Sequence, residues 1–234
     1  MITAHQPNYM PYLGFFEKII RSDEFVVVDN TQFVKRGPFG WIHRNRIRTE
    51  KGWDWLTVPV LTKGKFTQLI SDVRINNQLP WRRKHIRALE FNYRKASYAA
   101  EHMEFFRELY SREFEFLMDL TLEVIRYGMK VFGIDVPVKI ASEIGVGGKS
   151  TGYVIDLCEK TGHTRYLSGT HGRDYLDLDM CREAGIEIVF QDYEHSVYPQ
   201  LHPGEFVPNL SFVDCLFNTG PDAPRLMRGG RDAE

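Results

Sequence analysis

The residues of this chain with the types and spacing for chemistry gather where short apolar runs end. His5 stands in His5-Gln6-Pro7-Asn8, directly after the run that opens the chain. An imidazole held there can exchange a proton near neutral pH or hydrogen-bond a phosphate, although a structurally satisfied histidine is an open alternative. Asp29 closes the run Phe25–Val28 and is followed by Asn30-Thr31-Gln32. A carboxylate so placed can hold a sugar hydroxyl, an amine or Mg²⁺, or can simply cap a turn. His171 lies in Ser168-Gly169-Thr170-His171-Gly172, where flanking glycines let a backbone approach a ligand closely or merely form a loop tip. Gln191 follows a fourth such run. Four polar run-ends are more than turns require, and together they suggest one site.

Cations form a second group. The loop after Asn30 carries Lys35, Arg36, His43, Arg44, Arg46 and Arg48 with Phe39 and Trp41, and the segment from Trp81 adds Arg82, Arg83, Lys84 and Arg87. Basic groups interleaved with aromatics can clamp phosphates and stack a base. Residues 31–95 hold fifteen Lys and Arg against four Asp and Glu, while residues 96–234 hold thirteen against twenty-three. The net charge of −1 therefore conceals a basic segment, which either meets an anion or is neutralised by the acidic half on folding. Gly145-Val146-Gly147-Gly148-Lys149-Ser150-Thr151 could aim N–H groups at an anion or be a plain glycine-rich turn capped by Ser150. It is not a Walker A loop, because Glu143 stands where that motif needs glycine.

The elements that must position these groups follow from periodicity. Met1–Gln6 reads as a strand, Tyr12–Ser22 as a helix with Leu13, Phe16, Ile19 and Ile20 on one stripe, and Phe25–Asp29 as a strand buried on both faces. A polar loop spans 30–51, with strands expected at Asp54–Val60 and Thr67–Ile75. Helices are expected at 80–93, 98–110 and 112–132, then strand 137–141, helix 151–160, strand 165–168, helix 178–184, strand 186–191 and helix 211–217. Strands alternating with helices at both ends of the chain predict an α/β fold. The expected architecture is an open, mostly parallel sheet with helices on both faces, Rossmann-like or nucleotidyltransferase-like. A basic β-rich insertion at 31–80 and a helical part at 80–133 interrupt a single domain over 1–220, and 221–234 reads as a flexible tail. In such sheets ligands sit outside the C-terminal strand ends.

Bulk composition fits: 43% hydrophobic and 26% charged residues are those of an ordinary globular chain. Neither a membrane span nor a secretory leader is recognisable, so a cytoplasmic protein is expected. Cys158, Cys181 and Cys215 lack CxxC spacing and read as buried reduced thiols. No metal site and no particular cofactor is indicated.

Several blocks resemble the WbqC-like protein family: HQPNYMPYLGFFEKI at 5–19, DEFVVVDNTQFVKRG at 23–37, NRIRT at 45–49, WLTVPV at 55–60, YLSGTHGRDYL at 166–176 and VPNLSFVDCLFNTG at 207–220. The resemblance implies a role in bacterial O-antigen or other surface polysaccharide biosynthesis and carries no settled reaction with it. Asn45, Asn209 and Asp214 are polar residues of those blocks. A likeness to nucleotidyltransferases is fainter, since Tyr12 and Phe15 stand where a HxGH signature needs its histidines.

The expected function is a transferase for a nucleotide-linked sugar or other phosphorylated small molecule. His5 and Asp29 are its candidate catalytic pair. The candidate substrate contacts are Gln6, Asn8, Gln32, Lys35, Arg36, Asn45, Arg46, Ser168, His171, Gln191, Asn209 and Asp214. The alternatives are a non-catalytic scaffold subunit of a polysaccharide assembly complex and, disfavoured by a pI near 6.7, a single-stranded RNA binder.

Overall fold

A computed structural model describes residues 1–37 and 40–229. The described residues form five parallel strands, β1 (Ile2–His5), β2 (Glu24–Val27), β5 (Val138–Ile140), β6 (Arg165–Ser168) and β7 (Glu187–Phe190), in the order β5-β2-β1-β6-β7. A separate antiparallel pair, β3 (Arg44–Thr49) and β4 (Gly52–Thr57), stands outside this sheet.

The pleat explains the two cores. Phe25 and Val27 point to one face of the sheet, where they join Phe15, Phe16 and Ile19 of α1 (Leu13–Ile20). The same cluster takes in the buried stripes of α2 (Trp81–Tyr93), α3 (Ala99–Ser111), α4 (Leu117–Val131) and α7 (Phe212–Thr219). Ile2, Ala4, Val26 and Val28 point the other way, onto Val154, Leu157 and Cys158 of α5 (Ser150–Thr161) and Cys181 of α6 (Leu178–Glu183). Helices thus cover both faces; β1 turns Thr3 and His5 to the face of Phe25, and β5 turns Lys139 to the face of Val26, where it pairs with Glu24. Phe16 is fully buried between Phe15, Phe132 and Phe212, with ring centroids 5.0–5.3 Å apart. It lies so close to Gly128 of α4 that a Cβ there would meet its ring at 2.3 Å.

Several boundaries differ from those periodicity suggests. The loop at 30–51 contains β3, and Thr67–Ile75 forms only isolated bridges and a 3₁₀ turn at Ile70–Asp72. The helix expected from residue 112 starts at Leu117. Backbone at 115–117 bonds to 73–75 instead, with Ile75 N–H donating to Glu115 and Leu117 N–H to Val73. Beyond Pro221, which composition marks as tail, α8 (Ala223–Met227) follows, with Ala223 and Met227 fully buried. Phe39 of the basic loop and the last five residues lie outside the described part.

The strand order reverses at β1. Its neighbour on one side, β2, leads outward to β5, and its neighbour on the other, β6, leads outward to β7. The C-terminal ends of β1 and β6 therefore flank the point where successive connections diverge, which is where open parallel sheets hold ligands.

Candidate functional site

A cavity of about 320 Å³ opens at that point, lined by His5, Gln6, Asn8, Tyr12, Trp41, Asn45, Arg46, His171 and Asn209. His5 and Gln6 come from the end of β1, and Asn8 and Tyr12 from the turn into α1. His171 comes from the 3₁₀ turn after β6, Asn45 and Arg46 from β3, and Asn209 from the approach to α7. Seven of these nine are residues singled out from the sequence. Tyr12 and Trp41 complete the wall.

His5 is partly buried, its ring edge-on to Phe15 at 4.9 Å. Its Nδ1–H donates to the Gln6 carbonyl at 2.9 Å, which leaves Nε2 as the lone-pair nitrogen. Burial, and then the Lys18 ammonium, push its pKa down to about 3, so the ring is neutral at pH 7. Lys18 itself lies beneath the site with Nζ donating to the Ala4 carbonyl at 2.9 Å, and burial lowers its pKa to about 7. His171 is exposed at the rim, with Nδ1 3.2 Å from the Asp174 carboxylate. Gly172 behind it packs so tightly that a Cβ would fall 1.9 Å from Ser168 Oγ.

Arg46 supplies the positive charge of the cavity wall. Its guanidinium lies 5.5 Å from the Trp41 ring and 5.1 Å from the Trp53 ring, and Nη2 donates to the carbonyls of Pro208 and Asn209 at 3.3 Å each. Nε is buried without a hydrogen-bond partner, and among the described residues no carboxylate pairs with the group. None of the nine lining residues is acidic. Asn45, next to it, has both amide ends engaged: Nδ2 donates to the Met10 carbonyl at 2.5 Å and Oδ1 accepts from the Arg46 N–H at 2.8 Å. Met10 sits at φ +47° before Pro11, a left-handed conformation that a methionine adopts at a cost. Asn45 thus pins the strained turn that carries Asn8 and Tyr12. The side chains of Asn8 and Asn209 make no hydrogen bond among the described residues and are available to a ligand.

Other residues singled out from the sequence stand apart from the cavity. Asp29 is buried and accepts from Ser142 N–H at 2.9 Å and Ser142 Oγ at 2.5 Å, joining the end of β2 to the end of β5. Gln191 ties β7 to α1 through Gly14 O and Glu17 Oε2. Ser168 is buried against the Gly169 carbonyl. Asp214 is fully buried and accepts from Tyr93, Tyr198 and Gln200, anchoring α7 to α2, with its pKa raised by burial against those hydrogen bonds. Gln32 bonds the Phe66 carbonyl, Lys35 bonds Thr62, and Arg36 is exposed. At the glycine-rich turn, Gly147 N–H is taken by Asp156 at 2.7 Å and Ser150 Oγ donates to Tyr175 O, so Lys149 caps α5 without a side-chain bond. Arg82 and Arg83 of α2 border a separate hollow of about 660 Å³, where Arg82 pairs with Glu113 and Arg107 with Glu90 and Glu104. All three cysteines are buried, and burial raises their thiol pKa values, to about 11 for Cys158 and about 12 for Cys215. Among the described residues no group of three or more His, Cys, Asp or Glu could hold a metal ion, and no helix is long and apolar enough to cross a membrane.

The model of the WbqC-like protein family matches residues 6–226, a span that holds every lining residue of the cavity except His5. The chain belongs to the WbqC-like family. It is 35% identical over 229 residues to the uncharacterised protein Rv1507c of Mycobacterium tuberculosis, covering 97% of each chain. No solved structure matches it. Family membership agrees with the blocks quoted from the sequence. Trp41, which lies between two of those blocks, is marked in the sequence only by its place among cations, and Tyr12 by its place in the first block and in a degenerate motif.

Proposed function

We propose that this WbqC-like protein is a transferase acting on a nucleotide-linked sugar or similar activated small molecule in the assembly of bacterial surface polysaccharide. The observation that carries the reading is Arg46: a guanidinium on the wall of a cavity at the sheet's reversal point, held by tryptophans and carbonyls and with no carboxylate partner among the described residues. A phosphate is a counter-charge such a group accepts well, here through Nη1, since Nη2 is taken by two carbonyls and Nε is buried. In the reaction, an acceptor hydroxyl or amine attacks the activated carbon of the donor, and the bond from that carbon to the phosphate oxygen breaks. The departing phosphate keeps the electron pair beside Arg46, and the acceptor's proton passes to Nε2 of His5. His5 begins neutral, and a bound dianion nearby raises its affinity for that proton.

The test is thermal stabilisation by a panel of nucleoside diphosphates and nucleotide sugars. At least one donor should raise the melting temperature, and Arg46→Ala should remove the shift. No shift with any of them sinks the reading. A second reading, a binding subunit without catalysis, is favoured by the engagement of Asp29 with Ser142, which leaves the cavity without a carboxylate. It predicts that His5→Gln retains cellular function, whereas the transferase reading predicts its loss with donor binding intact.

A further inference from the structure

The hairpin β3–β4 carries more chemistry than the cavity uses. Cross-strand pairing sets Arg44 opposite Thr57, Arg46 opposite Trp55 and Arg48 opposite Trp53, so these six side chains share the outer face. The inner face holds Ile47 and Leu56, both buried in the core. On the outer face Arg44 stacks over Trp55 at 4.3 Å, and Arg46 lies against Trp53 at 5.1 Å and Trp41 at 5.5 Å. Trp55 in turn touches Trp41 at 5.2 Å and Trp53 at 5.7 Å. Cations and indoles thus alternate from the cavity outward.

The hydrogen bonds of these arginines go to main-chain carbonyls. Arg44 Nε donates to Gly40, Arg46 to Pro208 and Asn209, and Arg48 to Gly52, His202 and Pro203. Arg48 is buried, and its charge is offset by Asp214. Arg44 and Arg46 have no carboxylate partner among the described residues. An uncompensated pair of guanidinium groups beside a 43% exposed Trp53 calls for an occupant that is both anionic and flat. A neutral glycan would stack on the indole and leave both cations unmet. The cavity itself, at about 320 Å³, lies at the small end of ligand pockets and suits one sugar-sized group rather than a whole nucleotide sugar.

We propose that the outer face of the β3–β4 hairpin is the nucleoside diphosphate half of the donor site. The base stacks on Trp53, the two phosphates lie along Arg44 and Arg46, and the group to be transferred enters the cavity beside His5. This assignment rests on the donor reading above and adds the direction in which the donor lies. It divides the binding energy between a base platform outside the cavity and a phosphate clamp at its mouth.

Titration of the full chain with UDP, GDP and dTDP, followed by tryptophan fluorescence, tests it, with inorganic pyrophosphate as the baseless control. At least one nucleoside diphosphate should quench the fluorescence. Trp53→Ala should weaken that nucleotide on the order of tenfold and leave pyrophosphate unchanged. Trp53→Phe should restore most of the affinity, and Arg46→Ala should weaken nucleotide and pyrophosphate alike. Nucleotide binding that Trp53→Ala leaves unaltered while Arg46→Ala abolishes it overturns the base platform and spares the donor reading. Absence of any nucleotide or nucleotide-sugar binding overturns both. A single-stranded RNA oligomer that binds far more tightly than every mononucleotide, with a steep salt dependence, overturns the assignment in favour of RNA.

Discussion

Asn45 and Arg46 are adjacent in sequence yet do opposite work, because consecutive residues of a strand face opposite ways. Arg46 turns outward with an unmet charge, and Asn45 turns inward with both ends of its amide engaged, holding Met10 in a left-handed turn. A methionine in that region costs about 1–2 kcal/mol, and the cost is met only while its carbonyl keeps the Asn45 donor. Asn45→Ala should therefore destabilise the protein by about 1–3 kcal/mol and weaken ligand binding through the displaced Asn8 and Tyr12. Urea unfolding beside a ligand titration checks both effects, and a variant with unchanged stability and affinity would show that the turn holds itself. Asn45 was legible as polar and block-borne, but its role was not, since the carbonyl it grips is 35 residues away. Asp29 shows the same limit. Its place after an apolar strand was readable, whereas its bond to Ser142, 113 residues on, depends on which strands become neighbours.

At the scale of elements, the sequence marked four polar strand ends but not their order. With β1 and β6 adjacent, their two ends meet at the cavity, while the ends of β2 and β7 lie one strand further out and serve as ties between β5, β7 and α1. Of the parallel strands, β2 is legible as an unbroken apolar run and the others as short segments alternating with helices. The hairpin was only half legible, because β3 reads RNRIRT, with Ile47 its one apolar residue, and owes its inner face to Leu56 across the pair. Composition also hid α8, a short helix in a stretch rich in Gly, Pro and charge, whose apolar residues find a cover in α1 and α7. Burial of Leu226 and Met227 is worth roughly 1.5–3 kcal/mol each, so ending the chain at Asp222 should lower stability by about 3–5 kcal/mol. Equilibrium denaturation of the shortened chain measures this, and an unmoved midpoint would mean that α8 only rests on the surface.

Across the whole molecule, charge burial sets how stability varies with pH. Desolvation lowers the pKa of five histidines, His102 and His195 among them, and three fall far: His5 to about 3, and His43 and His85 to about 4. His85 is committed as a neutral ring, its Nδ1 accepting from Tyr9 and its Nε2–H donating to Thr57 O. In the unfolded chain each binds a proton near pH 6.5. Between that value and about 4 the unfolded state carries more protons than the folded one, so stability falls as pH falls through the window. Complete above about pH 6.5, the contribution is lost at up to about 1.4 kcal/mol per pH unit for each histidine. The raised carboxyl of Asp214 works the other way, gaining its proton more readily when folded, and offsets part of the loss at the acid end. Lys18, lowered to about 7, acts in a separate window, where stability rises from about pH 7 toward 10.5. Urea midpoints measured from pH 4.5 to 7.5 should therefore climb steeply to about 6.5 and then more gently, with Lys18 carrying the rise above about 7. His43→Asn should lessen the slope by close to one proton, because the His43 Nδ1 is buried without a partner and its loss leaves no donor stranded. An anion in the cavity, by raising the proton affinity of His5, should shift part of that slope into the ligand-bound state, so that binding at pH 6 takes up protons. A midpoint independent of pH over this range would place all three rings in contact with water.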